Sequence, residues 1–285
     1  MVTTTSIEAN GLTLAVHDWG GTGDPVLLSH ATGFHGRIWA PIAERLVASG
    51  RHVWSFDFRG HGDSDAPDIE YSWHGFGDDV LAVAQHLDIA GDPALLACGH
   101  SKGAAALLLA DVKEPATFAR VWAYEPIVFP SDAPIAPQPD FPMAAAARKR
   151  RNEWASIDEA YDAYASKRPL FVMTEESLRA YVEYGLRDRG DGVFELKCAP
   201  EVEARVYSMG PNHGLYTRLG EIDADVLVVC GELSTDIGPP LAEKIVERLR
   251  RGRLEVVPGR GHFGPQEDPD AAVASMLAFD AATRA

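Results

Sequence analysis

The chain has 285 residues, 46% hydrophobic and 24% charged, the proportions of a globular protein long enough to bury a sizeable core. With 42 acidic against 26 basic residues the formal charge is −16, which argues against nucleic acid or an anionic membrane surface as partner. No apolar run is long enough to span a bilayer, and the start, MVTTTSIEANG, lacks the charged and apolar regions of a secretory leader. The three scattered cysteines, Cys98, Cys198 and Cys230, make neither a disulfide framework nor a metal cluster. Cys98 and Cys230 lie in apolar runs, so buried free thiols and a cytoplasmic location are expected, with no metal and no cofactor.

In chain order, SIEANGLTLAVHDWG reads as two strands joined at Asn10-Gly11, a pair suited to the positive φ angles of a tight hairpin. Short unbroken apolar runs follow: PVLLSHA (25–31), HVWSFDF (52–58), ALLACGH (94–100), RVWAYEP (120–126), DVLVVCG (225–231) and RLEVVPG (253–259). Unbroken rather than alternating apolarity is what a strand covered on both faces requires. Helix-period segments alternate with them: RIWAPIAERLVASG, GDDVLAVAQHLDIAG, KGAAALLLADV, LAEKIVERLRR and DPDAAVASMLAFDAA. The pattern predicts an α/β fold with a mostly parallel sheet flanked by helices.

The alternation stops between about Ile127 and Ile222. PSDAPIAPQPDFP is too rich in proline for regular structure, and helical segments follow, including SIDEAYDAYASK, with Ser156 at a capping position and Glu159 three residues on, and TEESLRAYVEYGLRD. Residues 127–222 therefore read as a helical insertion in a core made of 1–126 and 223–285. Its one basic run, Arg148-Lys149-Arg150-Arg151, is expected to be a solvated helix face.

Chemistry is concentrated where apolar runs end. ALLACGHSKGAAALLLA carries Ser101 between a buried strand and a small-residue helix, the arrangement of a nucleophile elbow. Gly99 and Gly103 flank it because the sharp turn leaves no room for a Cβ. A serine hydroxyl needs a base within hydrogen-bond reach. Of ten histidines, His262 is the candidate: it ends the RLEVVPGRGH run and precedes the last helix, at the carboxyl end of a parallel strand.

With these residues the chain resembles the α/β-hydrolase superfamily. His30-Ala31-Thr32-Gly33-Phe34, Asp57-Phe58-Arg59-Gly60-His61-Gly62-Asp63-Ser64, Gly99-His100-Ser101-Lys102-Gly103 and Gly261-His262-Phe263 carry the resemblance. It implies that 127–222 is a cap and that a triad runs in the order serine, acid, histidine. The acid is expected to be Asp236, four residues before Pro240 in GELSTDIGPP, with Glu125 in AYEPIVFP and Glu232 as alternatives. The resemblance also implies an oxyanion hole from the N–H groups of Lys102 and Thr32, with Phe34 lining the acyl pocket. His100 and the Lys102 side chain are further candidates for substrate contact; for Lys102 the competing expectation is a packed stem whose head is paired or in solvent.

The expected activity is cofactor-independent hydrolysis of a small-molecule carboxylic ester, or of a thioester, through an acyl-enzyme. The alternatives are carbon–carbon bond hydrolysis, cyanohydrin lysis or haloperoxidation by the same triad, and a non-catalytic receptor on the same fold. Substrate identity and oligomeric state are not legible in the sequence.

Overall fold

The computed structural model describes residues 2–130, 138, 141–210 and 213–284. Strands β1 (Thr3–Ala9) and β2 (Leu12–Gly20) form the expected antiparallel hairpin, with Asn10 and Gly11 at φ +55° and +74°. Then come β3 (Pro25–Ser29), α1 (Ala40–Ala48), β4 (His52–Phe56), α2 (Trp73–His86), β5 (Leu96–His100), α3 (Lys102–Lys113) and β6 (Arg120–Tyr124). After an excursion the chain returns with β10 (Asp225–Gly231), α9 (Pro239–Val246), β11 (Gly252–Val257), α10 (Gly264–Glu267) and α11 (Pro269–Arg284). Eight strands pair in the order β1-β2-β4-β3-β5-β6-β10-β11, and all neighbours from β4 to β11 are parallel.

The unbroken apolar runs are explained by two cores, one on each face. Successive side chains of a strand point to opposite faces, so Ala97, Val121, Ala123 and Val228 enter the core beneath α2 and α3. Leu96, Cys98, Trp122 and Val229 enter the one shared by α1 and α11. Helix α3 is buried from Lys102 to Val112, and so is apolar nearly all round. All three cysteines are buried free thiols. No helix among the described residues is long and apolar enough to cross a membrane.

Between β6 and β10 lie α4 (Pro142–Arg148), β7 (Glu153–Trp154), α5 (Ile157–Ala165), α6 (Glu175–Gly185), β8 (Leu186–Asp188), β9 (Phe194–Leu196), α7 (Pro200–Ser208) and α8 (Leu215–Arg218). Most of the proline-rich passage expected there lies outside the described residues. Ser156 caps α5 by accepting from the Glu159 N–H at 3.0 Å. The excursion is not purely helical: β7, β9 and β8 form a three-stranded antiparallel sheet. Strands of two or three residues carry too few positions to show a period, so they leave no trace in hydropathy. Trp154, Leu178 and Tyr181 of this segment join the core beneath α1.

Candidate active site

Ser101 stands between β5 and α3 at φ +56°, a left-handed conformation that a residue with a side chain adopts only when its surroundings impose it. The glycines beside it are sterically required. A Cβ on Gly99 would lie 2.6 Å from the Ala104 backbone, and one on Gly103 would lie 2.3 Å from the Ser29 carbonyl. The turn is held by the Ser101 N–H donating to the Tyr124 carbonyl at 2.9 Å. The side chain is thereby fixed at the carboxyl end of the sheet, and the residue is 6% exposed.

His262 follows β11 in the loop before α10, and its Nδ1 donates to Glu125 Oε2 at 2.6 Å. Glu125 follows β6 directly, at φ +44° and 1% exposed. Its other oxygen accepts the Gly231 N–H at 2.8 Å, so both carboxylate oxygens are used. The expectation for the acid is thus corrected. Asp236 and Glu232 are exposed residues beyond the end of β10, and Glu232 accepts from the Gly259 N–H instead. Because β6 lies beside β10, the carboxylate at its tip is the one that reaches His262. Its sequence signal was its place at the end of an apolar run, the same signal that marked His262. Among the described residues, no hydrogen bond joins Ser101 to His262. In unliganded sites such bonds are commonly long and close only around substrate.

The loop after β3 supplies the second wall. His30 Nδ1 donates to the Ala31 carbonyl at 2.7 Å and Nε2 accepts from the Phe58 N–H at 3.1 Å. Acceptance at Nε2 requires a neutral ring, and burial, followed by the nearby Lys102 charge, holds its pKa well below the usual histidine value. The half-buried Thr32 has an N–H with no backbone acceptor among the described residues. Lys102, as the first residue of α3, has an N–H with no acceptor in its own helix. Phe34 is buried against Tyr181, Phe263 and His100, with ring centroids 5.4, 5.7 and 6.1 Å away.

Two residues expected at the substrate are fully buried. His100 is fully buried, its ring 4.7 Å from that of His262 and 5.7 Å from that of Tyr124, so it backs the site rather than faces it. The Lys102 side chain runs inward, with Nζ 3.9 Å from the Phe58 ring centroid and 4.4 Å from that of Phe76. The expectation of a paired or solvent-reaching head does not hold: the head is fully buried and has no hydrogen-bond partner among the described residues.

One residue went unrecognised. Arg150, expected on a solvated face, turns inward: Nη1 donates to the buried Glu203, and Nη2 donates to the hydroxyls of Tyr164 at 3.1 Å and Tyr181 at 2.5 Å. A Cβ on Gly33 would lie 2.5 Å from Glu203 Oε1 and 3.5 Å from Arg150 Nη1, so this cluster rests directly on the Thr32–Gly33 loop. Beside it is a small cleft lined by Gly33, Phe34, His35, Tyr181, Leu196 and Cys198 among others, while neither Ser101 nor His262 lines it.

A strained serine at a strand–helix turn, a histidine held by a buried carboxylate and two N–H groups without a backbone acceptor among the described residues define a hydrolase-type α/β protein. The chain belongs to the alpha/beta hydrolase family, whose sequence profile matches residues 26–276. It is 32% identical over 128 residues to the human monoglyceride lipase, a match covering 43% of this chain and 42% of that one. It is 27% identical over 282 residues to a putative non-heme bromoperoxidase, BpoC, of Mycobacterium tuberculosis, covering 94% of this chain and 98% of the relative. The solved structure of E-2-(acetamidomethylene)succinate hydrolase superposes with a TM-score of 0.79 at 22% identity, covering 98% of this chain and 99% of that one.

Proposed function

We propose that the protein is a serine hydrolase that cleaves a small carboxylic ester, or a thioester, through an acyl-enzyme. The observation that carries this is the His262–Glu125 pair beside a serine held at a strained elbow. Ser101 Oγ attacks the carbonyl carbon as His262 takes its proton. Glu125 holds the imidazole in the tautomer that can accept it and stabilises the imidazolium. The negative oxygen forms between the N–H groups of Lys102 and Thr32. His262 then protonates the leaving alcohol, and a water activated by the same imidazole releases the acid. Residues 127–222 act as a cap, bringing Tyr181 against Phe34.

The similarity to a lipase supports an ester substrate, and the ring cluster of Phe34, Tyr181 and Phe263 supports a short acyl group. The test is hydrolysis of p-nitrophenyl esters from acetate to palmitate by wild type and Ser101→Ala. A Ser101-dependent rate that is highest for the shortest acyl chains is expected. A rate unchanged in Ser101→Ala, or none on any ester, refutes the proposal. In the latter case a melting temperature that responds to carboxylates or diketones would point to carbon–carbon cleavage or to ligand binding without turnover.

A further inference from the structure

We propose that the buried Lys102 ammonium supports the oxyanion electrostatically: its charge stabilises the negative oxygen that forms against the backbone N–H of the same residue. The inference rests on the ester-hydrolase proposal. Three features of Lys102 are unfavourable in the resting protein. The residue is 0% exposed, its Nζ has no hydrogen-bond partner among the described residues, and its charge lies in the first turn of α3, where a cation opposes the helix dipole. The faces of Phe58 and Phe76 compensate in part, and the nearby carboxylates of Asp79 and Asp57 also favour the charge. A methionine would fill the same space without these penalties, so packing does not account for a lysine.

Among the described residues, the two carboxylates near the ammonium are both bound by other groups and neither hydrogen-bonds it. Asp79, on α2, is engaged by Arg59, with Nη2 2.5 Å from Oδ1. Asp57 accepts the N–H groups of Gly36 at 2.5 Å and Asp63 at 2.8 Å and lies 3.3 Å from His17 Nε2. His30 and His61, from the two flanking loops, are kept neutral by burial first and by Lys102 second. Cys198, from the excursion, is a thiol that burial pushes up to about 12, and Asp111 sits at the far end of α3 itself. The missing counter-charge is the one created during acyl transfer. In a buried, low-dielectric site an interaction present only then lowers the barrier rather than tightening ground-state binding. Burial pushes the ammonium down to about 7, so its charge is lost as pH rises through neutrality.

The test compares wild type with Lys102→Met from about pH 6 to about pH 9, using kcat/KM on p-nitrophenyl acetate and the rate at which a fluorophosphonate labels Ser101. Wild type should be faster by about tenfold at the acid end, less than the loss of a direct oxyanion donor causes. That advantage should fade through neutrality and vanish at the alkaline end. Parallel profiles for the two proteins overturn the inference and leave the hydrolase proposal standing. Absence of Ser101 labelling in wild type overturns both. Should Lys102→Met fail to fold, wild type alone decides. An alkaline limb whose midpoint falls on warming, as an ammonium's does, supports the inference, and a rate flat from pH 7 upward refutes it.

Discussion

At the scale of single residues, the carboxylate at the tip of β6 has the sharpest consequences. Glu125→Gln keeps the shape but lets the side-chain amide favour the wrong imidazole tautomer, so kcat should fall by roughly 10³- to 10⁴-fold. Asp236→Asn, at an exposed bend, should leave kcat within about twofold, since surface changes away from such features have small effects. Steady-state kinetics on one activated ester checks both, and a reversed result would return the acid to the loop after β10. Lys102 makes a separate prediction about stability. Its value in the folded chain is about 7 against an ordinary 10.5, so between these pH values the unfolded chain binds more protons. Stability attributable to this group therefore rises with pH across that window and is lost as pH falls through 7. Lys102→Met should flatten that rise and melt higher than wild type at pH 7, by roughly 2–4 °C per kcal/mol recovered.

At the scale of elements, the oxyanion loop and α3 show how tightly the site is built. Gly33 is at φ +75°, and its Cβ position is occupied by the Glu203 carboxylate. Gly33→Ala should lose about 1–2 kcal/mol from the left-handed backbone alone, with further loss from the clash. In a Glu203→Ala background the same substitution should lose only the first part, as a denaturation cycle would show. The elements themselves were legible wherever burial on two faces left a continuous apolar run: PVLLS, HVWSF and DVLVVCG are strands as expected. The strands EW, LRD and FEL were not, because pairing with one another defines them and no local preference does.

At the scale of the whole molecule, ion pairs join the excursion to the core and to itself, and their energies differ by environment. Lys197–Asp63 at 2.7 Å and Arg205–Asp68 at 2.6 Å involve exposed carboxylates. Removing either should change stability by less than about 1 kcal/mol. Arg150–Glu203 is different, because the glutamate is buried. Arg150→Met strands that charge and should cost about 3–5 kcal/mol, whereas Arg150→Met with Glu203→Leu should cost markedly less. Urea unfolding of the two variants separates these outcomes.

The sequence by itself determined the α/β class, the hairpin at Asn10-Gly11, the elbow at Ser101 and the position of His262. Each depends on local constraints: two-sided burial, glycines in a turn that excludes a Cβ, or a place at a strand's carboxyl end. Only the tertiary structure decided that Glu125 and not Asp236 meets His262, that Arg150 turns inward, and that Lys102 points between two phenylalanine rings. Those outcomes depend on which strands are neighbours and which side chains share a cavity. Such distances are set by the closed fold, and no spacing along the chain encodes them.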